Sequence, residues 1–119
     1  MPDLNTTPSI IDVPGGKVIA EHVGRVATGT EAMSVAHMTA PADWSEPAQR
    51  PEFDEVTLVV AGTVLVEHDG GTTTVAAGQS IVTRAGERVR YSTGADGAEY
   101  VAICTPAFAP DTVHREEEG

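Results

Sequence analysis

Between Glu55 and Gly62 the chain reads EVTLVVAG, and no other stretch is so committed to one backbone conformation. Val56, Leu58, Val59 and Val60 make it the strongest β-former in the sequence, since bulky and β-branched side chains suit a pleated, half-buried surface. Ala61-Gly62 followed by TVLVEH predicts a tight turn into a second strand, so the stretch reads as the central hairpin of an all-β domain. Glu55 stands at its head. Strict alternation puts this carboxylate on the face shared by Thr57 and Val59. A charge on an apolar face is costly unless it is paired or put to use.

The remainder of the chain repeats the pattern of short strands and turn signals. Lys17 to Val23 and Ala32 to Thr39 alternate as strands, and residues 40–53 (APADWSEPAQRPEF) form a long loop without periodicity, the kind that more often carries function than not. His68-Asp69-Gly70-Gly71 signals a hairpin turn, with Thr72 to Ala76 pairing back. Gln79 to Thr83, Arg88 to Thr93 and Glu99 to Thr105 follow as strands, with a turn at Gly94 to Gly97 before the last. About eight strands at regular spacing, with no amphipathic helix, predict an all-β fold: a jelly-roll sandwich or small closed barrel able to hold one small ligand. Residues 1–16 read as an extended N-terminal arm that lies along the sheet or crosses to a partner subunit. Residues 17–110 form the barrel, and residues 111–119 are an acidic C-terminal tail opening with a helical turn capped by Asp111.

Composition narrows the functional classes. A chain of 119 residues is one ordinary domain, burying about two thirds of the surface its unfolded form exposes. The single cysteine, Cys104, excludes a disulfide framework and points to a reducing, cytoplasmic setting. The opening MPDLNTTPSI lacks the features of an export signal, and no apolar run reaches membrane-spanning length. A formal charge of -11 repels phosphate backbones, so neither nucleic acid nor an anionic membrane is expected as partner. Arg84, Arg88 and Arg90 cluster, and Lys17 is the only lysine. The cluster serves either as a site for a small anion or as a solvated face paired with nearby acids.

The stretch from Pro41 to Thr93 resembles the barrel domain of the cupin superfamily. Its first motif ends in a glutamate, six residues and a glycine, here Glu55 and Gly62; its second starts at Gly78 and runs through QSIVT to Gly86, with Arg84 in place of the motif's proline. WSEPAQRPEFDEVTLVV, with YVAICTPAF and DTVHR downstream, is similar to small bacterial cupins named by likeness to ethanolamine-utilisation cupins. The resemblance implies a compact barrel and a homodimer. Metal-binding cupins place two histidines ahead of the motif glutamate and a third beyond the second motif's glycine. This chain has Gln49 and Pro51 (or Ala48 and Arg50) at the first pair and Val89 at the third. Of the four ligand positions only Glu55 is kept, so neither metal nor other cofactor is expected. His22, His37, His68 and His114 show no ligand-like spacing.

A carboxyl facing a dry barrel without a metal should have its pKa raised by desolvation, which makes Glu55 the candidate general acid/base. Tyr91 shares the face of Val89, and its phenol is the second catalytic candidate. Gln49, Arg50 and Glu52 are expected at the rim as substrate-binding residues, with Trp44 either anchoring its loop or serving as a ligand platform. The competing possibilities are an ion pair of Glu55 with Arg50, Arg84 or Arg90, and a thiolate pair of Cys104 with His114. The function expected is a metal-independent enzyme acting on a small polar metabolite by proton transfer, of isomerase, lyase or cyclase type. A non-catalytic small-molecule-binding module is the alternative, and a metal-dependent oxygenase the third choice. Whether the chain is an enzyme is left open.

Overall fold

In a computed structural model, which describes residues 2–116, seven strands form a single antiparallel sheet. They are β1 (Ser9–Ile11), β2 (Val18–Val23), β3 (Ser34–Ala40), β4 (Asp54–His68), β5 (Gly71–Ala76), β6 (Ser80–Thr83) and β7 (Arg90–Thr105). Their order is β1-β2-β3-β7-β4-β5, with β6 paired to β4. The sheet is not closed by hydrogen bonds between its outer strands, and it curls into an all-β jelly roll, the architecture expected from the strand spacing.

The two longest strands organise the fold. On β4 the side chains of Glu55, Thr57 and Val59 are buried while Leu58 and Val60 face outward, as alternation requires. Beyond the middle of the strand the buried positions are Val64 and Val66, so the phase has changed by one. The register shifts between Val59 and Ala61 and again between Gly62 and Val64. The turn expected at Ala61-Gly62 is therefore corrected: the backbone bulges there and β4 continues. β7 does the same, with Tyr91 and Thr93 buried before its glycines and Ala98, Tyr100, Ala102 and Cys104 buried after them, so the turn expected at Gly94 to Gly97 is also a bend within one strand. A glycine inside a strand signals a bulge as readily as a turn.

Gly62 and Gly97 form the tightest contact of this bend. Both take positive φ, 72° and 66°. A Cβ added to Gly62 would collide with the Gly97 carbonyl oxygen and lie 3.0 Å from the Ala98 Cα. Gly62→Ala is expected to destabilise the fold by about 2 kcal/mol or more, from the left-handed conformation together with the backbone clash. Urea unfolding checks this, and unchanged stability would count against the bend being obligatory.

Loop 40–53 is stapled across one end of the sheet. The Thr93 amide donates to the Trp44 carbonyl at 2.9 Å, and Gln49 and Val89 exchange two backbone hydrogen bonds of 2.8 and 2.9 Å. Trp44 is buried in the main core with Val64, Val66, Tyr91 and Tyr100, which makes it the anchor of its loop. After β7 the chain returns along the same loop: the amides of Glu52, Arg50 and Glu116 donate to Thr112, His114 and Ala48. This segment is extended, with a turn at residues 110–112, and the helical turn expected from Asp111 is not formed. Residues 117–119 of the acidic tail lie outside the described residues. Part of the expected N-terminal arm is β1, paired antiparallel with β2 along its own sheet.

Candidate active site

A cavity of about 50 Å³ opens at the end of the barrel covered by these two segments. Its lining includes Glu55, Tyr91, Gln49, Tyr100, Ala102 and Cys104 from β4, β7 and the loop, together with Lys17, Glu21, Glu46, Phe108 and Arg115. The space suits roughly four waters, or one edge of a larger molecule.

Glu55 is 9 % exposed. Its pKa is pushed up to about 7, by burial first and by the Glu46 carboxylate second, while Lys17, the Cys104 thiol and Arg115 pull it down. The thiol of Cys104 lies 3.8 Å from the Glu55 Oε1 and donates to it. Burial, then the neighbouring Glu55, drives both that thiol and the Tyr91 phenol well above their ordinary values, so both stay protonated at neutral pH. The Tyr91 hydroxyl pairs with the Thr83 hydroxyl at 3.0 Å. It is a neutral hydrogen-bonding group, not a second base.

Two cations share the cavity with these acids. Lys17 Nζ sits 3.2 Å from Glu46 Oε2 and 4.6 Å from the centre of the Trp44 ring. Arg115 Nη2 lies 3.8 Å from the same carboxylate oxygen, and Arg90 Nε donates to the Glu46 carbonyl at 3.1 Å. Glu55 thus has cations nearby without being locked into an ion pair. The pairing with Arg50, Arg84 or Arg90 weighed from sequence is not what the structure contains.

The predicted site residues divide into two groups. Glu55, Tyr91 and Gln49 line the cavity. Arg50 is exposed and donates to the Gly86 carbonyl at 2.8 Å, Glu52 is exposed and holds His114 at 2.6 Å, and Trp44 is packed in the core; none of the three is on the cavity wall. His114 is committed to Glu52, so the Cys104–His114 thiolate pair is also corrected. Sequence reasoning missed Lys17, Glu46 and Arg115. Lys17 carried a faint signal as the sole lysine, followed by an alternating strand. Arg115 carried none, because only the return of the chain past β7 brings it to Gln49.

The donors present do not fit a transition-metal ion. Three carboxylates line the cavity, but Glu21 accepts the Val26 and Ala27 amides at 3.1 and 2.9 Å, and Glu46 is held by Lys17 and Arg115. No imidazole lines it. Among the described residues, no group of three His, Cys, Asp or Glu side chains is placed to hold a metal.

Comparisons with known proteins revise the functional expectation. No protein-family model matches the chain. A curated relative, named Endoribonuclease YbeY, from Myxococcus xanthus (strain DK1622), is 45 % identical over 102 residues, covering 85 % of this chain and 35 % of that protein. The chain therefore spans about a third of the relative's length. Among solved structures, the polyketide cyclase RemF from Streptomyces resistomycificus matches with a TM-score of 0.77 at 17 % identity, over 100 % of this chain and 87 % of that one. A Streptomyces PAC13 variant with uridine matches with a TM-score of 0.76 at 13 % identity, over 93 % and 86 %. At such identities these likenesses show the cupin-like jelly roll and nothing about chemistry.

The name borne by the sequence relative corrects the earlier expectations. The cupin membership expected from the Glu55–Gly62 and Gly78–Gly86 spacing is corrected: the relative in sequence bears another family's name, and the jelly-roll fold is what remains of that expectation. The isomerase, lyase or cyclase on a small metabolite, its binding-module and oxygenase alternatives, and the exclusion of nucleic acid are set aside on the same finding. The physical reason is plain. Motif spacing reports a barrel and not its substrate, and a net charge averages over the whole surface, whereas Lys17 and Arg115 stand at one cavity beside Glu21, Glu46 and Glu55.

Proposed function

We propose that this barrel is an acid–base site acting on RNA, with Glu55 exchanging a proton at a ribose hydroxyl. The observation that carries the proposal is Glu55 itself: an enclosed carboxyl held at about 7 is present in both protonation states at neutral pH, the condition under which proton transfer in each direction is efficient. RNA as the substrate class is supported by the relative's name, an endoribonuclease. Among described residues, no helix is long and apolar enough to cross a membrane. The buried single cysteine suits a reducing, cytoplasmic setting.

The chemistry follows from the groups in place. Glu55 takes the proton of a 2′-hydroxyl as that oxygen bonds to the adjacent phosphorus. The bond from phosphorus to the 5′-oxygen breaks, and that oxygen is protonated by the acid form or by water. The products are a 2′,3′-cyclic phosphate and a 5′-hydroxyl. Arg115, with 31 % of its side chain exposed, is the cation that meets a phosphate at the mouth, Lys17 stays on Glu46, and a cavity of about 50 Å³ admits the sugar edge.

End-labelled RNA incubated with the purified chain tests this. Wild type is expected to give cyclic-phosphate ends, and Glu55→Gln to slow cleavage about 100-fold or more with its circular dichroism unchanged. Cleavage unaffected by the substitution refutes the role of Glu55. A second possibility rests on coverage: because the chain matches only 35 % of its relative, the strand is held here and cut by another part of a longer protein. RNA bound but left intact by wild type would select that alternative.

A further inference from the structure

The two halves of the sheet differ on their outer surface. On one side of the bend, where β4 pairs with β5 and with the first part of β7, the outward side chains are those of a solvated sheet: Thr72 aligns with Glu67 and Arg90, and Thr74 with Leu65 and Ser92. On the other side the pattern is reversed. Following the register from β2 through β3, β7 and β4 to β6, Val23, Val35, Ile103, Val56 and Val82 form one unbroken aliphatic row. Two residues along each strand, Ile10, Ala20, Val101 and Leu58 align in a second row, with His37 and Ser80 as its only polar members.

Both rows face away from the core. Ile10, Val82 and Leu58 are 61, 45 and 42 % exposed, and the other aliphatic side chains in the rows are half-buried. A contiguous apolar surface spanning six strands marks a place that another surface covers. No carboxylate interrupts the two rows, in a chain with 18 acidic residues. Glu99, at the next outward position of β7 after Val101, is hydrogen-bonded to His37 at 2.7 Å within its own chain.

We propose that this face is the two-fold interface of a homodimer, the two sheets packing face to face about 10 Å apart. Charge selects the occupant. Each chain carries -11, so a basic partner is drawn to the acids, which lie elsewhere, while a second copy comes close only where carboxylates are absent. Permanent self-contacts are also the interfaces richest in apolar surface and poorest in charge. A two-fold axis passing between β3 and β7 lays the aliphatic rows of one chain on those of the other and brings no charged row against its copy. Extent agrees as well. Six strands about 4.8 Å apart, carrying two rows with their side-chain breadth, cover roughly 30 by 20 Å in projection. The accessible area of so corrugated a face is larger than its projection and approaches the about 800 Å² per partner of a stable interface.

Sedimentation equilibrium of the full chain from about 0.1 to 100 μM tests this. A dimer with a dissociation constant of about 1 μM or below is expected, and it should persist in about 1 M sodium chloride, where an interface held by ion pairs comes apart. Leu58→Glu places a carboxylate at an exposed position of the face and is expected to weaken association about 100-fold or more, with circular dichroism unchanged. Thr74→Glu, on the polar outer surface, is expected to leave association as it is. A second measurement needs no variant. In an equal mixture of ¹³C-labelled and unlabelled wild-type chains, isotope-filtered methyl contacts between copies are expected at Val56, Leu58 and Val82 and not at Leu65. A monomer at the highest concentration, a dimer lost in salt, a dimer unmoved by Leu58→Glu, or contacts between copies confined to the edge strands β1 and β5 overturns the proposal.

Discussion

Glu55→Gln is expected to flatten the fall in stability that the wild-type protein suffers as pH rises from about 4.5 to beyond 7. Burial pushes the pKa of the folded carboxyl up to about 7 from its ordinary 4.5. In that window the native state holds a proton that the unfolded state has released, so raising the pH favours unfolding. The contribution is whole below pH 4.5 and gone once pH has passed the folded pKa. A shift of this size corresponds to about 3 kcal/mol. Many other acids titrate in so acidic a chain, but the difference between the two variants' curves isolates this one. Urea unfolding at intervals between pH 4 and pH 8 supplies both curves. Parallel curves would mean that the carboxyl is hydrated, and the acid–base role would go with its raised pKa.

The face on which Glu55 lies was legible because it depends on a period of two within a single strand, and burial of Glu55, Thr57 and Val59 obeys that period. The same rule failed six residues on. Gly62 and Gly97 were visible as breaks, but a glycine with positive φ serves a hairpin turn and a bulge equally well. What decided between them was the partner strand, with twelve residue pairs along β4 and β7 in register on both sides of the bend. Local sequence holds no information about that pairing. β1 escaped notice for a related reason: three residues, SII, are too few to show a period.

The site was legible to the extent that it lies on strands. Glu55, Tyr91 and Gln49 were named from alternation and motif spacing, and all three line the cavity. Arg50 and Glu52 flank Gln49 closely in sequence, but a segment paired as an extended bridge with Val89 turns successive side chains to opposite sides, and these two point to solvent. Lys17, Glu46 and Arg115 converge from three separated parts of the chain, joined by contacts such as the 3.2 Å pair of Lys17 and Glu46. Such convergence is a property of the fold and leaves no trace in spacing.

Phe53→Ala should cost about 3–5 kcal/mol, the usual range for a buried phenylalanine, and its effect should reach the cavity. Phe53 is 2 % exposed and meets Phe108 edge to face, with ring centres 6.0 Å apart at 66°; Cys104 and Val113 complete the cluster. This cluster clamps the segment after β7 onto the loop, and that segment carries Phe108 and Arg115 to the cavity wall. Without the ring, the segment loses its apolar anchor while its backbone bonds from Arg50, Glu52 and Glu116 face competition from water. Amide exchange at those three residues should therefore quicken far more than along β4 or β7, where pairing is independent of the clamp. Water admitted beside Glu55 weakens the desolvation that is the first cause of its raised pKa, so its titration midpoint should move down from about 7 toward 4.5. A carbon-13 titration of the Glu55 carboxyl in the variant measures the shift. A midpoint held near 7 would show that the dry environment of this carboxyl is made by the sheet alone, and that the returning segment has no part in setting its proton affinity.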